Sequence, residues 1–210
     1  MIYVPAAFKQ SDRDVLHALI ESFAFATLIS PDAEDPTVTH LPLLLDRARG
    51  ADGTLIGHVA RGNPQWRKMQ ERPGVLAIFH GPHAYVSPSW YGVHPSVPTW
   101  NYAVVHARGT ARLIEDAAAL EAIVRRLVET YENSRAAPWR MALPEEYQRG
   151  MIGGIVGFEI EIAELTGKFK LSQNRTPADR QRVVDALEAG SAEERQVGAL
   201  MRAHVLGAGG

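Results

Sequence analysis

The stretch TWNYAVVHARGTARLIE, Thr99 to Glu115, alternates apolar and polar residues over a length that only a long β-strand uses, and it holds one glycine, Gly109. An isolated glycine inside a strand pattern marks a bulge or sharp bend, the device by which barrels turn their corners. Around it lie further strand patterns: Ala24 to Ser30, Thr37 to Asp46, Thr54 to Ala60, Gly74 to His80, Ala84 to Pro88 and Ile155 to Ile162. Turns rich in Pro, Asp and Gly separate several of them. Pro42 cannot donate to a ladder, which predicts an edge or a bulge within the second.

Helical spacing is confined to the periphery. Ser11 with Asp14 predicts a start for the stripe Val15, Leu16, Leu19, Ile20 and Phe23. Asn63-Pro64 forms a cap-and-first-residue pair for a short helix through Gln70. Residues 116–133 are periodic through Leu120, Ile123, Val124, Leu127 and Val128, and after Thr176-Pro177 two helical segments flank Gly190-Ser191. Many strands in hairpins and meanders with outlying helices predict a mainly β, α+β domain built on an antiparallel barrel. The last four residues, Gly-Ala-Gly-Gly at 207–210, read as disordered.

Composition excludes several classes. With 46% hydrophobic and 22% charged residues among 210, the chain is an ordinary globular protein of one domain or one domain with an appendage. A net charge of −2 gives no global pull toward nucleic acid or anionic membrane. Without cysteine there is no disulfide, thiolate metal site or Cys nucleophile. MIYVPAAFKQ lacks the pattern of a signal peptide and no apolar run approaches a membrane span, so a cytoplasmic location is expected.

Between Arg72 and Ile114 there is neither Asp nor Glu, and Phe79 to Tyr102 holds six of the sixteen aromatic residues. A flat anionic ligand suits such a stretch, because carboxylates would repel it while Ser87, Ser89, Thr99, Asn101, Trp90, Trp100 and Tyr102 supply donors and π faces. An aromatic core or a dimer seam fits the same composition. Upstream, His58, Arg61 and Asn63 end a strand with an imidazole, a guanidinium and a helix cap. They read either as a phosphate cradle or as a surface Arg beside an ordinary cap. Lys168, Lys170, Ser172, Gln173, Asn174 and Arg175 form a basic polar cluster without an acid, or a solvated loop.

Other chemistries find less. His80, His83, His94 and His106 have no acidic co-ligand in their window, and no metal site is expected. Neither Ser87 nor Ser89 sits in a Gly-x-Ser-x-Gly elbow. The glycines of residues 151–157 lack dinucleotide spacing and run into a strand.

Several segments in order resemble the PaiB family, FMN-binding proteins described as negative transcriptional regulators. They are 1–8, Thr39 to Asp46, Gly57 to Trp66, Phe79 to Tyr91, Val97 to Tyr102, Val105 to Gly109 and Gly167 to Arg175. The resemblance implies an FMN-binding split β-barrel over residues 1–175, with a helical extension over 176–206 packed on the barrel or the partner subunit. It implies a homodimer with the flavin at the interface. By analogy His58, Arg61 and Asn63 hold the FMN phosphate, Tyr85, Ser87, Ser89, Thr99, Trp100 and Asn101 line the ribityl chain and ring, and Lys170, Ser172 and Gln173 close the site. No catalytic residue is singled out. Three functions stay open: a regulator or flavin sensor, a flavin oxidoreductase acting on a small molecule, and a direct DNA-binding repressor. For the last, Pro177 to the C-terminus offers four basic residues against five acidic ones. Haem or another flat ligand in place of FMN is equally compatible with aromatic walls and a basic rim.

Overall fold

Residues Thr99–Ile114 form one uninterrupted strand, and its neighbours explain its glycine. A Cβ on Gly109 would lie 2.2 Å from the carbonyl oxygen of Glu161 and 2.7 Å from Ile160 Cγ2, so the glycine permits a close backbone approach and the strand continues without a break. In the computed structural model, which describes residues 2–32 and 35–206, this is strand β7. The others are β1 (Lys9–Gln10), β2 (Phe25–Ser30), β3 (Thr37–Pro42), β4 (Leu44–Asp46), β5 (Thr54–Ala60), β6 (Gly74–Val86) and β8 (Ile155–Lys170). They form an antiparallel sheet in the order β3-β2-β6-β7-β8-β5-β4, with β1 also paired to β8. That path ends at β3 and β4 without closing. The architecture is mainly β within an α+β class.

Among the described residues six α-helices accompany the sheet: α1 (Arg13–Ser22), α2 (Gln65–Glu71), α3 (Ala117–Glu132), α4 (Glu145–Gly153), α5 (Pro177–Glu188) and α6 (Ala192–Met201). The chain divides into two compact units, and the long strands contribute to both. The first holds residues 1–19, 80–105 and 166–210; the second holds 20–79 and 106–165. The C-terminal segment 176–206 belongs to the first. The final four residues, expected to be disordered, lie outside the described residues.

In the first unit, Asp12 caps α1 by accepting from the Asp14 and Val15 amides at 2.9 and 3.2 Å, one residue from the Ser11 start read in the sequence. Thr176 caps α5, and Ser191 with Glu194 forms a full capping box on α6. Val183, Val184, Leu187, Val197 and Met201 of this helical pair are fully buried. The strand is continuous from Gly74 to Val86, where two strands were expected. Gly81 and Pro82 sit inside it, and a Cβ on Gly81 would touch the Ala103 carbonyl oxygen at 3.0 Å.

In the second unit, Asp116 caps α3 by accepting from the Ala119 amide, and Ile123 and Leu127 pack on Leu44, Ile56 and Ile114. The strand expected over 37–46 is broken after Pro42, which lies on the edge strand β3, and the Leu43 amide still donates to the Ala24 carbonyl at 3.0 Å. Helix α4 was not foreseen: it is nine residues long, contains Gly150 and Gly153 and buries only Ile152.

Glu159 shows what holds the second unit's sheet. It is buried on β8, yet Arg49 donates to it at 2.8 Å and Arg112 from the other side. Burial pushes its carboxyl up, and the two guanidinium bonds outweigh this and hold it below the usual carboxylate range. A folded-state value below the unfolded one stabilises above the unfolded value of about 4.3, and that contribution disappears as pH falls through the depressed value. Glu159→Gln is therefore expected to cost about 1–2 kcal/mol near pH 7, less than a fully buried pair because both arginines are partly solvated. In urea melts the deficit relative to wild type should shrink toward zero at acid pH; a deficit independent of pH would refute the assignment.

Candidate functional site

Strand alternation sorts the residues of the first unit onto two faces. On β6, Ala84 and Val86 are buried while His83 and Tyr85 are exposed; on β7, Asn101 and Ala103 are buried while Trp100 is exposed. Trp100 is 52% exposed and Tyr85 45%, with their rings edge-on at 6.0 Å, and the His83 ring lies 6.2 Å from Trp100. Water on two large neighbouring rings costs hydrophobic free energy that a soluble face rarely tolerates without a ligand or partner.

Cations gather on the same strands. Lys168 lies over the rings of Tyr3 and Tyr102 at 5.1 and 5.6 Å. Lys170 donates to the hydroxyl of Thr99 and, at 2.7 Å, to the backbone carbonyl of Trp100. Burial, with the positive charges of Lys168 and Arg175, pushes the Lys170 ammonium below the usual lysine range. Arg175 stacks on Tyr91 at 4.0 Å and reaches Ser96. With the charges of Lys168 and Arg175 bearing on Lys170 and no acid from 72 to 114, this cluster suits an anion. Ser87 and Ser89 share a hydrogen bond of 2.7 Å at the short helical turn that follows β6.

Not every residue expected here faces outward. Asn101 is 0% exposed and donates to Ser172 Oγ at 2.9 Å and to Met201 Sδ at 3.3 Å, while Ser172 donates back at 3.2 Å. Ser172 takes a φ of +64° in the turn that ends β8, a left-handed conformation rare for serine, and Asn101 braces it there. Gln173 folds onto its own turn, accepting from the Leu171 amide and donating to the Phe169 carbonyl. Asn101, Ser172 and Gln173 thus build the loop in this structure. Lys168 and Tyr102, read in the sequence as cation and π face, share this face with His83, which the sequence reading considered only as a metal ligand; its period-two relation to Tyr85 was the signal that could have found it.

The phosphate trio lies in the second unit, and its groups are largely committed there. Arg61 donates through Nε to the Gly153 carbonyl at 3.0 Å, through Nη2 to the Ile155 carbonyl at 3.1 Å and through Nη1 to Glu115 at 3.1 Å. It clamps the turn between α4 and β8, beside a cleft of about 430 Å³ that Glu115, Glu121, Glu145 and Arg149 also line. Asn63 donates to Thr39 and accepts from the Gln65 amide, so it acts as a cap. His58 pairs with Gly157 on β8, and a Cβ on Gly157 would meet Leu120 and Ile123, which places His58 on the face covered by α3. Its Nδ1 is enclosed with no hydrogen-bond partner, and burial lowers its pKa. No helix among the described residues is long and apolar enough to cross a membrane.

Comparison with known proteins places this geometry. Residues 2–164 match the family described as "Putative FMN-binding domain". The chain is 36% identical over 190 residues to protease synthase and sporulation protein PAI 2 of Bacillus subtilis, covering 89% of each chain. Two solved structures share the fold: the flavocytochrome Anf3 from Azotobacter vinelandii (TM-score 0.58, 16% identity, 80% of this chain and 70% of that one) and the FAD and haem binding protein from Mycobacterium smegmatis (TM-score 0.55, 17% identity, 77% and 73%). The unclosed antiparallel sheet is that of the split barrel expected from the sequence. With the family match spanning most of its length, this chain belongs to the PaiB family of FMN-binding-domain proteins.

Proposed function

We propose that the chain binds FMN as a homodimer and serves as a flavin-dependent regulator or redox sensor. The observation that carries the reading is the exposed Tyr85–Trp100 pair on strands that also bring Lys168 and Lys170 and contribute no acid between 72 and 114. Rings without water-excluding cover and cations without carboxylate partners fit a flat, anionic, phosphorylated ligand. A bound isoalloxazine would supply electron or hydride transfer, chemistry that no side chain here provides. The chain's own part is to cover a ring face with Trp100, to fix Trp100 through the Lys170 bond to its carbonyl, and to neutralise negative charge with Lys168 and Lys170. Membership of a family described as an FMN-binding domain supports the flavin, and a relative named for protease synthase and sporulation is consistent with a regulatory role.

Purified protein is expected to show the visible absorbance of a flavin and to release FMN on denaturation, identified by mass spectrometry. Excess FMN at about 100 times Kd should add about 2.7 kcal/mol and raise Tm by about 5–10 °C. A colourless protein that FMN does not stabilise would sink the proposal, and release of haem would redirect it.

Direct repression through α5 and α6 has less support. Arg180 donates to the Val205 carbonyl, Arg182 to Asp179, Arg195 to the Gly190 carbonyl and Arg202 to Glu188. All four arginines after Pro177 are thereby engaged within the chain, which leaves little for the phosphate contacts that dominate DNA affinity. Tight, salt-sensitive retention of promoter DNA in gel shifts at low salt would restore that reading.

A further inference from the structure

We infer that Asp179, in the first turn of α5, is a positioning residue for the flavin face: it holds loop 87–98, and with it the Ser87–Ser89 turn, against the C-terminal helices. The inference rests on the flavin reading above and adds a residue that acts from behind that face. It starts from a departure in local capping. Thr176 caps α5 by accepting from the Asp179 amide at 3.1 Å. At the same position of α6, the Glu194 carboxylate turns back to the Ser191 amide at 2.7 Å and closes a capping box. The Asp179 carboxylate instead leaves its own helix end, accepting on Oδ1 from the Gly92 amide at 2.7 Å and from Arg182 Nη1 at 3.1 Å. Asp179 is 2% exposed, and a carboxylate taken out of water needs such donors. The Gly92 amide, with Thr176 and Arg182, holds the carboxyl below the usual carboxylate range against the opposing pull of burial.

The loop that Asp179 grips carries groups suited to a ligand. It joins the end of β6 to the start of β7 and lies in the same compact unit as α5. Ser87 continues the spacing of two from the exposed His83 and Tyr85, and its hydroxyl bonds that of Ser89. Hydroxyls next in line to a ring platform suit a polyhydroxylated chain attached to a flat ring, which is what the ribityl chain of a flavin is. A long connection between neighbouring strands keeps one shape only if it is tied down. Here the ties run to the C-terminal segment. The turn Pro88–Trp90 packs on α5, Arg175 stacks on the buried Tyr91 at 4.0 Å and reaches Ser96 at 3.4 Å, and Gly92 bonds Asp179. A Cβ on Gly92 would collide with the Arg182 guanidinium, so glycine lets the loop backbone close on α5. All these ties come from beyond the residues 2–164 that match the family domain.

The test is fluorescence titration of the full chain with FMN and with lumiflavin, the same ring without the ribityl chain, beside thermal melts of every variant. Wild type should bind both. Asp179→Ala should weaken FMN about tenfold and leave lumiflavin within about twofold of wild type, a split that general loosening of the fold would not give. Asp179→Asn should restore FMN binding, because both donors use one oxygen and the amide oxygen can take its place. Gly92→Pro removes the donor from the loop side and spares α5. Tyr91, at φ −81° and ψ 146°, already has the extended backbone that a following proline requires. This variant should reproduce the Asp179→Ala pattern, and it carries the comparison if Asp179→Ala does not melt cooperatively. A wild type that binds neither flavin would overturn the flavin reading and this inference together. Wild-type FMN affinity in both variants, an equal loss of lumiflavin, or no rescue by asparagine would overturn the inference alone.

Discussion

Trp100→Ala is expected to weaken FMN binding by about one to two orders of magnitude while leaving the fold intact, since ring stacking contributes about 1–3 kcal/mol and its loss leaves no buried cavity. The indole is half in water and edge-on to Tyr85, so truncation exposes no core. Its sequence neighbour provides the contrast. Asn101 is fully buried and braces Ser172 at its positive φ, so Asn101→Ala should cost about 1–3 kcal/mol of stability by leaving the serine hydroxyl without its partner. The folded fraction of that variant should still bind flavin with near-normal affinity. Fluorescence titration with FMN alongside thermal melts separates the two effects. An Asn101 variant that is stable but flavin-free, beside a Trp100 variant that binds normally, would reverse the assignment of the two faces.

Gly109→Ala should be among the most damaging single-methyl changes in the chain, about 3 kcal/mol or more, with a Tm lowered by about 6–12 °C. The obstacle is backbone: the added carbon would meet the Glu161 carbonyl at 2.2 Å, and Ile160 Cγ2 stands at 2.7 Å. A carbonyl within a ladder cannot rotate aside as a flexible side chain can. β7 or β8 must shift, and both carry core residues, among them Val105, Ala107, Phe158 and Ile160. Gly62, where an added Cβ meets nothing within 4 Å, is the control, and Gly62→Ala should be near neutral. Equal melting temperatures for the two variants would show that the strands have room to part.

Alternation in Thr99–Glu115 and the periodic stripe of α3 were enough to read strands, helices and an antiparallel barrel class, because burial enforces a period of two or of 3.6 along the chain itself. Family membership was legible for the same kind of reason: short segments in a fixed order survive in the linear sequence. Helix α4 escaped, since its nine residues include two glycines and bury one side chain, too short a pattern to stand out from a loop. The continuity of β6 through Gly81 and Pro82 escaped as well, because turn-forming residues were weighed without the neighbouring strand that accommodates them.

Residue types decided by themselves that this chain carries an acid-free aromatic segment, a basic cluster near 168–175 and no thiol chemistry. Which of those groups look outward was settled only by tertiary structure. Trp100 and Asn101 are adjacent in sequence and opposite in space, and Arg61, with the chemistry of a phosphate ligand, places three of its five donors on two carbonyls and Glu115. A side chain's chemistry is fixed when it is translated, whereas its partners come from distant segments.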